Sequence, residues 1–410
     1  MTLHDVTLAD KFDLSKERIF VSGAQAVVRM LLMQRERDRR AGLDTAGFVS
    51  GYRGSPLGAL DQQLWKAKRE LGASSIVFQP GLNEELAATA CWGSLQTELL
   101  GEGKHDGVFA VWYGKGPGVD RSGDVFRHAN LAGSSKHGGV VALMGDDHTA
   151  ESSTNAHATE FLFVDTMVPI LHPAGVQELV DYGLYGFAMS RFAGTWAAMK
   201  CVKDNIESTA SVDVSLDRVQ VVLPEFDMPP GGLNIRHELD QLGQEARLHE
   251  YKRAAAAAFI RVNKLNRMVF SGGRDARIGI ITVGKSYLDV RQALDDLGID
   301  EARAAQIGLR LFKVAAPWPL DLEHIGEFAR GLETAIVVEE KRSLIEVQMR
   351  ENLYGTAMQP QIVGKKDERG DWLFPVKGAL DPNDVAIAIG ERVLARTPND
   401  EVARSIHWAM

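Results

Sequence analysis

The hydrophobic positions of the chain form short apolar runs that alternate with amphipathic segments. The run Val108–Tyr113 is apolar throughout, which is typical of a strand buried on both faces of a parallel sheet. It continues into a loop with three glycines between 114 and 118, a segment with helical potential over 120–132, and a second apolar run, Val140–Met144. This order predicts a βαβ unit, and ligands of open α/β sheets bind outside the carboxyl ends of such strands.

The same alternation extends over most of the chain and predicts two α/β domains, the first with a doubly wound parallel sheet. Ser22 and Gln25 form a capping-box pattern at the start of the first helix. A long helical pattern runs from His237 to Val269. The predicted divisions are an N-terminal arm at 1–20, a first α/β domain at 21–225, a linker and long helix at 226–272, a smaller α/β domain at 273–360 and a C-terminal extension at 361–410.

Composition excludes several classes of function. With 46 basic and 55 acidic residues, the net charge of −9 argues against nucleic acid as a partner. Cys91 and Cys201 are the two cysteines, so this chain alone cannot hold an iron–sulfur cluster or a structural zinc, and a reducing, cytoplasmic setting is favoured. No apolar run approaches the roughly 20 residues that span a bilayer, and the N-terminus does not resemble a signal peptide.

Glu84 is a candidate for proton chemistry. Asn83 is a natural N-cap, which places Glu84 in the first turn of a helix. The helix macrodipole stabilises such an acid, and this structural role is sufficient for most residues of this kind. A functional role requires a carboxyl held in apolar surroundings near an ionisable ring nitrogen, and Leu82, Leu86 and Trp92 could provide those surroundings.

The glycine loop at 114–118 allows two interpretations. A glycine loop that follows a strand and opens a helix is typical of dinucleotide binding, and Asp146 ends the next strand, where a ribose-binding acid belongs. However, Val119 stands at the position of the third glycine of that fingerprint. Glycines that only turn the chain account for the loop equally well.

Four histidines lie close together in sequence, His128, His137, His148 and His157. Their spacings of 9, 11 and 9 residues place no two of them on one helical face, which argues against a metal site. His148 follows the strand that ends at Asp146, so it is the histidine we expect to face a ligand. A satisfied polar loop is an equally good explanation for each of them singly.

Four loops, in order, resemble those of the 2-oxoacid:ferredoxin oxidoreductases, and within that family the indolepyruvate ferredoxin oxidoreductases. The loops are GYRGSPLGALD at 51–61, LNEELAATA at 82–90, YGKGPGVD at 113–120 and GDDHTAESSTN at 145–155. The segment 278–356 resembles the transketolase C-terminal-type domain that follows in this family. The resemblance implies a thiamine-enzyme pyrimidine-binding domain followed by that smaller domain.

The resemblance also implies roles for individual residues. Glu84 is expected to be catalytic and to bind cofactor, because its family counterpart hydrogen-bonds the aminopyrimidine ring of thiamine diphosphate. The implied substrate-binding residues are Arg53, Ser55, Lys115 and His148, and the further cofactor-binding residues are Gly116, Gly118 and Asn155. Arg53 and the Lys115–Pro117 triplet depart from the family pattern.

The implied activity is oxidative decarboxylation of an aryl 2-oxoacid to acyl-coenzyme A, with ferredoxin as electron acceptor. The chain has no Gly-Asp-Gly motif with a downstream Asn-Asn pair, so Mg²⁺, the cofactor diphosphate and [4Fe–4S] clusters are expected on a partner domain or subunit. The chain is expected to be inactive alone and to form a homo-oligomer. Two alternatives remain, a nicotinamide-dependent dehydrogenase and a non-catalytic subunit of the same complex.

Overall fold

The computed structural model describes residues 6–99, 101–153, 155–237, 240–396 and 400–409. The chain divides into two compact units, Met1–Asn263 and Lys264–Met410. The division falls inside the segment 226–272, for which a linker and a long helix are predicted. No helix in the described ranges has the length and apolarity needed to cross a membrane.

The first unit is built on a six-stranded parallel sheet with strand order β3-β2-β4-β5-β7-β6. The described strands of this unit are β1 (Arg18–Ser22), β2 (Thr45–Gly51), β3 (Ile76–Phe78), β4 (Gly107–Lys115), β5 (Val140–Asp146), β6 (Ile170–Leu171), β7 (Ala197–Val202) and β8 (Thr209–Asp213). Strands β1 and β8 form a separate two-stranded antiparallel sheet. Strand β3 lies on one side of β2 and β4 on the other, so the winding direction reverses between β2 and β4. A crevice forms at such a switch point.

Helices cover both faces of this sheet, as the alternating pattern predicts. They are α1 (Gly23–Arg40), α2 (Gly58–Lys66), α3 (Lys68–Ala73), α4 (Glu84–Ser94), α5 (Gly116–Arg121), α6 (Gly123–Ala132), α7 (Glu160–Asp165), α8 (Val176–Ala193), α9 (Lys203–Ile206), α10 (Gln241–Arg247) and α11 (Arg253–Val262), with a π-helical turn at Leu248–Lys252. The predicted capping box is present, since the Ser22 side chain accepts from the Gln25 amide and Gln25 accepts from the Ser22 amide.

The second unit holds a five-stranded sheet with strand order β13-β12-β10-β11-β9. Its strands are β9 (Arg267–Phe270), β10 (Ile278–Val283), β11 (Leu309–Val314), β12 (Thr334–Val338) and β13 (Gln361–Val363). Its described helices are α12 (Gly284–Asp296), α13 (Glu301–Ile307), α14 (Leu322–Ala329), α15 (Ile345–Leu353), α16 (Pro382–Arg396) and α17 (Asp400–Ala409). All pairings are parallel except that of the edge strand β9 with β11.

The predicted long helix is wrong at its end. It stops at Val262, because Asn263 turns its side chain back to the Phe259 carbonyl and Lys264 adopts a left-handed φ of 50°. The following residues pair with β11 as β9. Residues 238–239 of the predicted helix lie outside the described residues. The pairing of β1 with β8, which uses residues predicted as arm, joins segments that are far apart in sequence.

Candidate functional site

The four loops that carry the resemblance meet at the carboxyl edge of the first sheet. The amide of Tyr52 donates to the Tyr113 carbonyl at 3.1 Å, and the amide of Gly81 donates to the Gly51 carbonyl at 2.9 Å. The side chain of Leu57 packs on Gly145 at the end of β5. Two backbone hydrogen bonds and one side-chain contact thus bring the loops after β2, β3, β4 and β5 together at the predicted edge.

Glu84 is fixed at the first position of helix α4. The Asn83 side chain accepts from the Leu86 amide at 2.8 Å, as its role as N-cap predicts. On the other side, the indole Nε1 of Trp112 donates to the Glu84 carbonyl at 2.9 Å. Glu84 is only 6% exposed. Its backbone is therefore held from both the helix and strand β4.

The Glu84 carboxyl group lies against the backbone of Gly118. A Cβ at position 118 would come within 2.6 Å of Oε1 and 2.7 Å of Cδ, so only glycine leaves room for this carboxyl. Among the described residues, none donates a hydrogen bond to the Glu84 carboxylate. A buried carboxylate normally has such donors, and their absence leaves its oxygens available to a ligand in the crevice.

We expect Gly118→Ala to displace the Glu84 carboxyl without unfolding the protein. Gly118 lies in α5, where alanine is intrinsically favoured over glycine by about 1 kcal/mol, and this gain offsets part of the steric cost of displacing the carboxyl, so the melting temperature should change only by a few degrees. If Glu84 is catalytic, turnover should decrease by at least about tenfold, as expected when a reacting group is moved by about 1 Å. Gly93→Ala in α4, where no atom lies within 4 Å of the added methyl, is the matched control. Unchanged turnover in Gly118→Ala would contradict the placement of Glu84.

The apolar side chains predicted to surround Glu84, those of Leu82, Leu86 and Trp92, are not the ones that surround it in the structure. Leu82 is 87% exposed and Leu86 is 50% exposed. Residues two apart on a helix do not share a face, which explains why Leu86 points away from Glu84. Trp92 stacks on His128, with 6.4 Å between ring centroids. The buried surroundings of Glu84 are supplied instead by Trp112 and the glycine loop.

The structure brings three of the predicted substrate-binding residues together. Arg53 and Ser55 are exposed on either side of Gly54, and the aliphatic part of Lys115 runs along that glycine. A Cβ at position 54 would lie 2.7 Å from Cδ of Lys115. The loop after β2 and the end of β4 therefore present two cationic side chains and one hydroxyl at the switch point.

The loop after β5 holds the remaining predicted residues. His148 is buried, whereas Asn155 is exposed. Asp147 organises the start of the loop, because its carboxylate accepts from the Ser152 amide at 2.8 Å and these bonds lower its pKa despite partial burial. Beyond Asn155, His157 packs on Gly116, one of the predicted cofactor-binding glycines.

A buried charge cluster at the base of this loop was not predicted. Lys200 of β7 is fully buried and pairs with Asp146 at 3.1 Å and with Glu160. Burial raises the pKa of Glu160; burial alone would lower the pKa of Lys200, but the two carboxylates outweigh it and raise that pKa. The sequence does contain a signal for this cluster, a lysine inside the apolar run Ala197–Val202. Such a lysine indicates buried acidic partners, because a fully buried lysine requires a charged partner.

In the second unit, buried acids follow β12 at the corresponding edge of its sheet. Glu339 accepts from the amides of Leu344, Ile345 and Glu346, at the start of α15. Burial raises the pKa of Glu339 to about 7 although these donors oppose the shift. The carboxyl therefore acts as a cap for α15. Within the described parts of both units, no group of three or more His, Cys, Asp or Glu is arranged to hold a metal ion.

Comparison with known proteins shows which proteins this chain resembles. Residues 268–408 match the family described as indolepyruvate oxidoreductase domain. The chain is 25% identical over 370 residues to indolepyruvate oxidoreductase subunit IorA of Pyrococcus abyssi, covering 88% of this chain and 51% of that protein. It is 24% identical over 375 residues to IorA of Methanothermobacter marburgensis, covering 90% of this chain and 53% of that protein.

The chain is a relative of the indolepyruvate oxidoreductases. The family predicted from the four loops is thereby confirmed, and the chain spans about half the length of the curated relatives it matches. The match to IorA includes the loops around Glu84 as well as the second unit, because it covers nearly nine-tenths of this chain.

Two solved structures confirm the predicted fold of this indolepyruvate oxidoreductase relative. The first is 2-oxoglutarate:ferredoxin oxidoreductase from Magnetococcus marinus with 2-oxoglutarate, coenzyme A and succinyl-CoA bound; its TM-score is 0.66 at 14% identity, over 92% of this chain and 66% of that one. The second is a split gene transketolase, an inactive beta4 tetramer; its TM-score is 0.54 at 13% identity, over 92% of this chain and 99% of that one. The pyrimidine-type domain and the transketolase C-terminal-like domain agree with both.

Proposed function

We propose that this chain is part of a thiamine-diphosphate-dependent 2-oxoacid oxidoreductase and contacts the aminopyrimidine side of the cofactor. The observation that carries the proposal is Glu84, a buried carboxyl that lies against Gly118 at the switch point of the sheet. The family match and the order of the four loops support it. The substrate class is an aryl 2-oxoacid of the indolepyruvate type, with coenzyme A and ferredoxin as further reactants.

The residues present fit the pyrimidine side of this cofactor. Glycine at 118 leaves room for the Glu84 carboxyl, and none of the described residues donates a hydrogen bond to that carboxylate. When bound, thiamine diphosphate supplies the carbanion stabilisation that decarboxylation of a 2-oxoacid requires. Glu84 would share or transfer a proton at Oε1 toward a ring nitrogen, and its burial strengthens that hydrogen bond by excluding water.

The substrate side of the proposed site lies on the loop after β2. Arg53 and Lys115 offer positive charge to the carboxylate of a 2-oxoacid, and Ser55 offers a hydroxyl on the same loop as Arg53. Guanidinium and carboxylate groups match in geometry and can form two parallel hydrogen bonds. The two cationic side chains would orient the carboxylate that is lost as CO₂.

The surface around Glu84 supports a requirement for a partner. Leu82 and Leu86, two residues before and two residues after Glu84 in the sequence, are 87% and 50% exposed. Large apolar side chains beside a ligand edge are typical of surfaces that a second domain or subunit covers. That partner would carry the diphosphate, Mg²⁺ and [4Fe–4S] sites, and the assembly would be a homo-oligomer of such units in the cytoplasm.

The alternative of a nicotinamide-dependent dehydrogenase has less support from the glycine loop. In dinucleotide-binding proteins such a loop approaches a pyrophosphate. Here the carboxyl of Glu84 lies against Gly118, and a negative charge at that position would repel a pyrophosphate. The non-catalytic alternative is distinguished by substitution of Glu84, as described in the Discussion.

The proposed function is tested with this chain and its partner assembled. We expect reduction of ferredoxin, or of a viologen dye in its place, that depends on indolepyruvate, coenzyme A and thiamine diphosphate with Mg²⁺. Pyruvate and 2-oxoglutarate serve as competing substrates, and NAD⁺ as the alternative acceptor. Turnover that requires NAD⁺ and proceeds without thiamine diphosphate would overturn the proposal.

Ser55→Ala should raise KM for the 2-oxoacid by about three- to tenfold and change kcat less. An uncharged hydrogen bond is worth about 1 kcal/mol, and a group that binds substrate and transition state equally affects KM alone. Steady-state kinetics of the assembled enzyme measures both constants. Ser74→Ala, at the end of α3, is the control. An unchanged KM would remove Ser55 from the site.

A further inference from the structure

A cavity of about 600 Å³ lies in the first unit, at the edge of the sheet opposite the candidate site. Its lining includes Leu43, just before β2, and His137, just before β5. Because the strands of this sheet are parallel, these residues lie at its amino edge. Strand β5 has seven residues, so the two edges are about 20 Å apart. A small molecule in this cavity therefore cannot contact Glu84.

One wall of the cavity contains an ion pair whose hydrogen bonds are already satisfied. Arg191 of α8 donates through two nitrogens to the two carboxylate oxygens of Asp38, at 2.7 and 2.8 Å. The Gln34 amide and the Thr45 hydroxyl donate to the same carboxylate at 2.9 and 2.7 Å. A carboxylate has about four acceptor positions, and these four donors occupy them. The negative charge of Asp38 is therefore already balanced by Arg191.

Two further cationic side chains line the cavity, and no acid in its lining balances them. Arg37 is partly buried, and its guanidinium donates to the carbonyl of Leu216. Lys136 is exposed and has no ion-pair partner among the described residues. The exposed Asp217 attracts Arg37 but is not part of the lining. The cavity therefore has an excess of positive charge, which favours an anionic ligand.

Most of the remaining wall is apolar. Leu184, Ala188 and Phe192 lie on one face of α8, because they are spaced four residues apart. Leu223 and Met228 line the cavity from the segment 220–234 and are 62% and 38% exposed. Apolar walls with a few convergent polar groups are typical of sites that bind small molecules.

The segment 220–234 is tied to the rest of the unit near both of its ends. Near the start, the amide of Val222 donates to Oδ1 of Asn263 at 2.8 Å, and Nδ2 of Asn263 donates to the Val222 carbonyl at 2.8 Å. Near the end, the side-chain amide of Asn234 donates to the Arg191 carbonyl at 2.8 Å. The cavity is therefore preformed, so a ligand does not have to order this segment when it binds.

We propose that this cavity binds a small monocarboxylate with an apolar body. Its carboxylate would contact Arg37 and Lys136, and its body would lie between Phe192 and the segment 220–234. The guanidinium group matches a carboxylate in geometry, and the cavity volume falls within the range of about 300–1,000 Å³ found for small-molecule sites. The proposal does not rest on the proposed function, because this site and Glu84 lie at opposite edges of the sheet.

Calorimetric titration of the full-length protein with octanoate tests the proposal. Octylammonium and 1-octanol carry the same apolar body with a positive or no charge, and 2-naphthoate carries the carboxylate on an aromatic body. One or both carboxylates should bind at least about tenfold more tightly than octylammonium and 1-octanol, as expected of a charge-assisted hydrogen bond. Binding that does not depend on the charge, or no binding of either carboxylate, would overturn the proposal.

The methyl resonance of Met228 locates the bound carboxylate. It should shift during the titration in a methyl NMR spectrum, in which the Met228→Leu variant provides its assignment. Glu84→Gln should bind the carboxylate with the wild-type affinity. An unmoved Met228 resonance, or an altered affinity in Glu84→Gln, would place the ligand elsewhere and overturn the proposal.

Two variants test the charge and the space of the cavity separately. Arg37→Met should weaken carboxylate binding by about ten- to a hundredfold, the factor for loss of a hydrogen bond to a charged group. Arg40→Met on the same helix is the control, because Arg40 pairs with Glu36 and is 52% exposed outside the lining. Ala188→Phe fills the cavity, keeps its charges and should weaken binding at least as much. Melting temperatures show that each variant is folded, and wild-type affinity in Arg37→Met or Ala188→Phe would contradict the proposal.

Titration of the assembled complex separates a ligand site from a surface between subunits. The carboxylate should bind the complex within about threefold of its affinity for the chain alone, since a preformed site in one unit needs no rearrangement. Loss of binding on assembly would show that a partner covers the cavity, and the assignment to a small carboxylate would fail.

Discussion

Replacing Glu84 by glutamine should lower the turnover of the assembled enzyme by about 10²–10⁴-fold. Glutamine has the same shape and fits beside Gly118, so assembly, folding and KM should change little. The amide cannot share or transfer a proton as the carboxyl can, and proton transfer by a positioned group is typically worth this factor. Dye-linked steady-state kinetics with indolepyruvate measures the effect.

Glu85→Gln is the matched control for this experiment. Glu85 is the next residue in the first turn of α4, and its side chain is exposed. The same charge is removed at the same end of the same helix, so any effect of the helix macrodipole is shared by both variants. Turnover of Glu84→Gln within a few-fold of that of Glu85→Gln would favour the non-catalytic subunit and remove Glu84 as the catalytic acid.

Replacing Lys200 by methionine should lower the free energy of unfolding of the first unit by about 3–5 kcal/mol near pH 7. Lys200 is fully buried, and its removal leaves the carboxylates of Asp146 and Glu160 buried without their cation. Asp146 also accepts from the amide and hydroxyl of Thr159 at 3.1 and 2.9 Å. The cluster therefore fixes both ends of the loop that carries His148 and His157.

The loss of unfolding free energy caused by Lys200→Met should be smaller at acidic pH than near pH 7. Burial already raises the pKa of Glu160 in the wild type, and removal of the cation raises it further. The folded variant then binds more protons than the unfolded chain, so its stability falls as pH rises and recovers as pH falls toward about 4.5. Urea titrations at the two pH values, followed by hydrogen exchange of β5 and β7, measure this dependence.

Lys203→Met provides the comparison for a surface pair. Lys203 pairs with Glu151 at 2.9 Å, but both side chains are more than half exposed. The expected change is about 0–1 kcal/mol at either pH. Equal effects of the two substitutions, or a cost of Lys200→Met that does not change with pH, would contradict a role for the buried cluster in holding the loop.

Local sequence determined most of the strands and the starts of several helices. Runs such as Val108–Tyr113 and Val140–Met144 are apolar throughout, because strands of a parallel sheet are covered on both faces. Asn83 and the Ser22–Gln25 pair were identifiable because capping uses side chains within three residues. The order of elements alone predicted the carboxyl edge as the ligand-binding edge. The place of Glu84 after an N-cap made it a candidate, and the resemblance of the four loops supplied its expected role.

Contacts between distant segments decided the rest. The pairing of β1 with β8 and of β9 with β11 depends on partners far away in sequence, so a local pattern could not reveal it. The same holds for the Lys200 cluster, which combines β5, β7 and α7, and for the contact of His157 with Gly116. Likewise, the exposure of Leu82 and Leu86 follows from how α4 and the segment before it pack on the sheet and not from their hydrophobicity.

The sequence by itself therefore determined the α/β class and the resemblance to the family, and it singled out Glu84 as the candidate for proton chemistry, because periodicity, capping and loop composition are local properties. Only the tertiary structure decided which groups surround that residue. The space for its carboxyl exists because Gly118 arrives from another loop. Packing and electrostatic pairing are properties of proximity in space, which the order of residues along the chain does not specify.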